Sequence, residues 1–185
     1  MRVFLDFEAS SLHKDSYPIE VGWVLEDGTG EAHLIRPAPD WTDWDLEAEA
    51  LHGLSRSRLQ RHGVPHEVVC ARLIELFRDN VVHASAPSWD GHWLSMLLRA
   101  ADQPRHLLRL TDTEEAFIAA ARARLGPQAE EEAVAEAIAA ARAAMEGRPV
   151  AHRALADARR EWEIWMELGG GGAPAASPPQ PNDPA

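Results

Sequence analysis

Two carboxylates at the end of an apolar strand are the first residues that could do chemistry. Residues Arg2–Glu8 read R-V-F-L-D-F-E. Side chains two apart on a strand point to the same side. Asp6 and Glu8 therefore project together from what reads as a central strand. Two close carboxylates repel each other, more strongly where water is excluded. A hard divalent cation such as Mg²⁺ or Mn²⁺ between them removes that repulsion. The alternative is that the strand simply ends and both acids face water.

Three further groups stand near helix starts. Asp90 lies in A-P-S-W-D-G-H-W-L, after a short strand and at the opening of a helix. His152 and Asp157 lie in V-A-H-R-A-L-A-D. Two fully helical residues at that spacing diverge by about 140°. They converge on one site only if His152 precedes the helix and Asp157 occupies an early turn. Gly147 and Pro149 favour such a start. Each group also has an ordinary reading. Asp90 and His152 can be helix caps, and Asp157 can be an exposed acid beside Arg153, Arg159 and Arg160.

The elements that must position these groups follow from pattern. Residues Tyr17–Leu25 read as a second strand, and E-D-G-T-G, Glu26 to Gly30, as a hairpin turn. Ala32–Ile35 reads as a third strand, closed by Pro37 and Pro39. Asp40–Glu47 is acidic and carries Trp41 and Trp44. Ser55 caps a short helix through Arg61, and Pro65 opens a helix over His66–Arg78 with an apolar stripe. Val81–Ala84 is a short strand, Asp90–Ala101 a helix and His106–Leu110 another short strand. Thr111-x-x-Glu114 and Asp112-x-x-Glu115 have capping-box spacing, before a helix through Leu125. Gln128–Met145 favours helix, and an amphipathic helix runs from about Arg153 to Leu168. The Gly/Pro-rich residues 169–185 have no core-forming side chains and read as a disordered tail. The order predicts an α/β fold with a mixed sheet: an antiparallel meander extended by parallel crossovers.

Composition sets bounds on function. The net charge of −12 excludes a protein that coats nucleic acid through a broad basic surface. It leaves room for an enzyme that grips one strand end with a metal site and a few Arg residues. One cysteine, Cys70, excludes an internal disulfide framework, and its apolar setting marks it as a buried hydrophobe. No stretch has the order of a signal peptide or the apolar length of a bilayer span. A soluble cytoplasmic protein with no membrane contact is the expectation.

The sequence resembles the DEDD 3′–5′ exonucleases of the histidine subclass, a family that includes RNase T, oligoribonuclease and the proofreading domain of bacterial DNA polymerase III. The family's D-x-E motif on the first strand matches Asp6-Phe7-Glu8. Its helix-start aspartate with a following x-x-aromatic-Leu matches Asp90 through Trp93-Leu94. Its H-x-x-x-x-D matches His152 to Asp157. Pro18–Val24 resembles the family's second strand, His52–Ser55 its His-Gly-Ile/Leu turn, and Asp112-Thr113 the Asp-Thr after its fifth strand. The likeness covers about residues 1–168, and the ordered set is more specific than any one motif. Two positions depart from it: Ala9 stands where Thr is usual, and Ser85-Ala86-Pro87 replaces a His-Asn-Ala lead-in.

The resemblance implies a ribonuclease H-like mixed five-stranded sheet flanked by helices. It implies a catalytic domain over residues 1–168 and two divalent cations, Mg²⁺ or Mn²⁺. Asp6, Glu8 and Asp157 would hold one ion, Asp6 would bridge to the second, and Asp90 would contact that second ion. His152 would be the general base. The activity would be hydrolysis of phosphodiester bonds at the 3′ end of single-stranded or short RNA or DNA, releasing nucleoside 5′-monophosphates. Contacts to the terminal nucleotide fall to Ala9, Ser10, Ser11, Leu12, His52 and Trp89, with His13 and His92 as phosphate candidates. The ordinary readings are that Trp89 is core or rim packing, that His52 shapes its turn, and that His13 and His92 are surface histidines. The rival functions on this fold are a non-catalytic nucleic-acid-binding or regulatory module, and a proofreading or processing subunit that docks to a larger enzyme. A homodimer is compatible with the sequence.

Overall fold

The computed structural model describes residues 1–147 and 152–171. A mixed sheet of six strands runs in the order β4-β3-β2-β1-β5-β6. Strand β1 (Arg2–Ala9) lies at its middle, antiparallel to β2 (Pro18–Leu25) and parallel to β5 (Val81–Ala84). Strand β3 (Gly30–Arg36) pairs antiparallel with β2, completing the expected meander.

Burial on both faces explains why β1 reads as an unbroken apolar run. Val3, Leu5, Phe7 and Ala9 point one way and join Ile19, Val21 and Trp23 in the larger core. That core is closed by α2 (Arg56–His62), α3 (His66–Arg78) and α4 (Pro87–Ala100) through Leu59, Leu73 and Leu97 among others. Phe4 points the other way and packs with Phe117, Ile138 and Trp165. Those residues belong to α5 (Thr113–Leu125), α6 (Glu131–Ala143) and α7 (Ala154–Glu167). Cys70 is buried in the larger core. The row that begins with Phe4 continues with Asp6 and Glu8, so both acids emerge beneath α7.

The register with β2 decides what surrounds them. Asp6 pairs with Gly22, and Glu8 with Glu20. Direct cross-strand partners share a face. Glu20 and Gly22 therefore lie beside the two acids, under the start of α7. The ladder shifts register between Glu8 and Ala9, so the pairing is irregular where the acids stand.

Four elements differ from expectation. The sheet has six strands rather than five, because Val64–Pro65 adds a two-residue parallel edge, β4, beside β3. The strand expected over His106–Leu110 lies instead at Thr111–Asp112 (β6), whose partners are His83 and Ala84. An additional helix, α1 (Leu46–His52), forms in the acidic Trp-containing region. Asp45 caps it by accepting from the Glu47 N–H, and Gly53 ends it at a φ of 68°, a backbone setting suited to glycine. Helix α4 starts at Pro87 and so takes Asp90 into its first turn, because proline's fixed φ suits the first helical turn. Pro149, and residues 172–185 of the expected tail, lie outside the described residues. No helix among the described residues is long and apolar enough to cross a membrane.

Candidate metal centre

Three acids meet at the end of β1. One carboxylate oxygen each from Asp6, Glu8 and Asp157 lies within 4.8 Å of the other two. Oxygens bound to one ion at about 2.0–2.6 Å lie up to roughly 4–5 Å apart. The trio thus has the dimensions and the donor chemistry of a hard-cation site. Asp90 arrives from the other side of the sheet, at the end of the first turn of α4, and is 1% exposed. Its Oδ2 is buried without a hydrogen-bond partner. An orphaned carboxylate oxygen beside three other acids fits a position that awaits a cation.

The charges strain one another. Burial raises the Asp6 carboxyl well above the usual range, and Asp90, Glu8, Asp157 and Glu161 add to the rise. Burial, then Asp157 and Glu20, push Glu8 up to about 7, against the pull of Arg153. Burial pushes Asp90 to about 7, with Glu161 adding and nearby backbone amides opposing. Asp157 is raised by burial, while His152 and Arg160 hold it down.

Helix α7 brings Asp157 in at its first full turn, and its approach is set by β2. Gly22 has no side chain where the helix backbone crosses it. A Cβ there would stand 2.5 Å from the Leu155 Cα and 2.6 Å from the Ala154 carbonyl carbon. Next to it, buried Glu20 accepts from Arg153 Nε at 2.9 Å and from an Arg153 terminal nitrogen at 2.5 Å. Glu20 also accepts from the Ala154 N–H at 3.2 Å. One carboxylate thus binds the capping residue's side chain and one of the helix's first free amides. His152 sits immediately before this clamp with a φ of 44°, in the left-handed region. That conformation is uncommon for a side chain other than glycine, and it persists where surroundings enforce it.

The expected substrate-side residues are placed variously. Ala9 is buried at the strand end. Ser10 and Ser11 are buried, and both hydroxyls donate to Asp43 Oδ2, at 2.8 and 2.7 Å. The Ser10 N–H is taken by the Tyr17 carbonyl at 3.0 Å. These two serines therefore shape the turn after β1, while Leu12, 69% exposed, stands out from it. Trp89 is 38% exposed and stacks on Trp93, with ring centroids 5.7 Å apart. His52 is buried; its Nδ1 accepts from the Leu54 N–H at 3.0 Å, and its Nε2 has no partner. With Nδ1 accepting, the ring's proton falls on Nε2, and burial lowers the ring's pKa. His13 pairs with Asp43 at 3.5 Å from an exposed position. His92 Nε2 is buried without a partner.

Two acids near the centre were not singled out as functional from sequence. Glu20 was legible as an acid inside an apolar strand, P-I-E-V-G-W-V. Glu161 follows Asp157 by four residues, a spacing that puts both on one helix face. Its carboxyl is raised by burial, with the Thr113 hydroxyl, Arg142 and Arg160 opposing. Arg153, a candidate partner for Asp157 by sequence, is committed to Glu20, and Arg159 donates to the Gly28 carbonyl at 3.3 Å.

Sheet order and helix placement define an α/β fold that matches the ribonuclease H-like fold of exonuclease I. Among solved structures, the zinc-bound E. coli exonuclease I–single-stranded DNA complex superposes with a TM-score of 0.65 at 16% identity, covering 90% of this chain and 39% of that one. E. coli exonuclease I with a dA16 oligonucleotide gives 0.63 at 18% identity, over 90% and 40%. Exonuclease I without ligand gives 0.61 at 16% identity, over 90% and 41%. The chain thus spans about two fifths of the length of the solved chains it matches. No protein-family profile and no curated protein sequence matches it.

Proposed function

We propose that this chain is a metal-dependent 3′–5′ exonuclease of the DEDD histidine subclass, with residues 1–168 as its catalytic unit. The observation that carries the reading is the meeting of Asp6, Glu8 and Asp157 oxygens within 4.8 Å, with the unpartnered Asp90 oxygen buried nearby. The exonuclease I structures that share the fold hold single-stranded DNA and oligonucleotides, which supports a nucleic-acid strand as substrate. A module that only binds gains nothing from four mutually repelling acids, and their cost to stability favours the catalytic reading.

Asp6, Glu8 and Asp157 would hold one divalent cation, Mg²⁺ or Mn²⁺, and Asp6 with Asp90 would hold a second. When bound, such ions acidify water and neutralise charge developing on the phosphate and the leaving oxygen. The chain's own contribution is geometric and acid–base. His152, held ahead of α7 by the Glu20–Arg153 clamp, takes the proton from the attacking water. An imidazole suits that role because it is the side chain most often used as a general base. Leu12 and Trp89, both exposed, would meet the terminal base by apolar contact and stacking. The products would be nucleoside 5′-monophosphates released stepwise from single-stranded or short DNA or RNA.

An end-labelled oligonucleotide assay tests this directly. With Mg²⁺ or Mn²⁺, short DNA and RNA are expected to shorten one nucleotide at a time from the 3′ end, and EDTA is expected to stop it. Absence of metal-dependent shortening on every strand would overturn the reading. His152→Ala is expected to lower turnover about 10²–10⁴-fold, the usual worth of a general base, while Mn²⁺ affinity measured by calorimetry stays near wild type. Undiminished turnover in that variant would remove the base role.

A further inference from the structure

The exonuclease reading leaves one surface unused. A depression of about 430 Å³ lies between the first turns of α4 and the segment that leads into β6. Gly91, His92 and Ser95 form its helix side, and Arg105, His106 and Arg109 its other side. No Asp or Glu lines it, although acids outnumber Lys and Arg in the chain by 30 to 18. Arg105 Nε donates to His106 Nε2 at 2.7 Å, and its terminal nitrogens have no hydrogen-bond partner among the described residues. Arg109 has neither an ion pair nor a side-chain hydrogen bond among them. His92 adds a buried ring nitrogen with no partner.

This basic surface adjoins Asp90 along α4. It begins at Gly91, the residue after Asp90. His92 contacts the exposed Trp89 edge-on, with centroids 6.4 Å apart. Aromatic faces and unpaired guanidinium groups in sequence make a track for a single strand. The chain's overall charge of −12 repels a polyanion, so strand affinity must come from local cationic surface. We infer that the depression between α4 and Arg105–Arg109 holds the phosphate backbone of the strand on the 5′ side of the bond to be cut. The inference rests on the exonuclease reading: the metal centre would take the 3′ end, and this surface would make longer strands bind better than the shortest ones.

Fluorescence anisotropy of the full chain in EDTA tests it without catalysis, using 5′-labelled deoxythymidine oligonucleotides of two and eight residues across a salt series. Wild type is expected to bind the octamer about tenfold more tightly than the dimer. The R105Q/R109Q variant is expected to lose most of that gain, and its salt slope for the octamer to fall by about 1.4, roughly 0.7 for each single-strand phosphate no longer neutralised. The R58Q/R61Q variant makes the same charge change on exposed α2 positions and is expected to keep both gain and slope. The inference is overturned if wild type gains nothing from length, if R105Q/R109Q retains the gain, or if R58Q/R61Q loses as much. The underlying reading has its own readout: Mn²⁺-dependent hydrolysis by wild type of the nitrophenyl ester of thymidine 5′-phosphate, which has no upstream phosphate.

Discussion

Asp6→Asn is expected to abolish phosphodiester hydrolysis, by about 10³-fold or more, and at the same time to make the metal-free protein more stable. The loss in rate corresponds to about 4 kcal/mol of barrier. The gain in stability follows from the acids themselves. Asp6 is half-buried beside Asp90, Glu8 and Asp157, and desolvation with their charges holds its carboxyl well above the usual range. Glu8 and Asp90 are each pushed up to about 7. A carboxyl whose folded pKa exceeds its unfolded value stabilises fully below the unfolded value, and that stability is lost as pH rises through the folded one. The window here runs from about pH 4 to just above 7. For Glu8 the change from 4.5 to about 7 corresponds to roughly 3 kcal/mol at most. Metal-free wild type should therefore melt at a higher temperature at pH 5 than at pH 8. Asparagine at position 6 removes the central charge and should raise the pH 8 melting temperature by about 5 °C, equivalent to ~1–2 kcal/mol for a chain of this size. Mn²⁺ should stabilise wild type strongly and the variant weakly. Thermal melts in EDTA and in Mn²⁺ at both pH values check each part. A variant that melts lower than wild type in EDTA at pH 8 would mean that Asp6 has favourable partners and that the acids are not poised for a cation.

The sequence revealed the strand side of this centre more readily than the helix side. Asp6 and Glu8 obey the two-residue period of a strand, and their half-buried setting follows from the apolar run that carries them. Asp90 was visible as an acid near a helix start, but its place at the end of the first turn of α4 depended on Pro87 beginning the helix earlier. Glu20 stood in plain view within β2, yet only the pairing register puts it beside Glu8. A register joins residues distant in sequence, and no local pattern states it. The edge strands were the least legible for a similar reason. Val64–Pro65 and Thr111–Asp112 are two-residue pairs created by the neighbours they meet, too short to carry a period of their own. Helix α1 is the opposite case: Asp45 and Gly53 mark both of its ends with ordinary capping chemistry, and the intervening acids obscured it.

Gly22→Ala, a change of one methyl group remote from any reacting atom, is expected to cost about as much as removing a group that does chemistry. The Cβ would meet backbone atoms of Ala154 and Leu155 at 2.6 and 2.5 Å, and backbone cannot rotate aside as a flexible side chain can. Helix α7 must lift, and it carries Asp157 while His152 precedes it. Displacing reacting groups by about 1 Å can cost roughly 10²-fold in rate. Overpacking alone costs about 1–3 kcal/mol of stability, and lifting α7 also pulls Arg153 and the Ala154 N–H away from Glu20. A buried carboxylate left without its partner adds about 3–5 kcal/mol if the clamp breaks fully. Glu20→Gln separates the two causes, because it weakens the clamp and leaves the seat at Gly22 open. It should lower turnover less than Gly22→Ala, with a smaller loss of Mn²⁺ affinity, since α7 can still rest on the sheet. Turnover, Mn²⁺ affinity by calorimetry and melting temperature, measured on both variants, decide the matter. Gly22→Ala with turnover within threefold of wild type and unchanged Mn²⁺ affinity would show that α7 is not seated through this contact. The expected ranking places the geometry of the proposed centre under the control of β2, a strand that supplies none of its reacting groups.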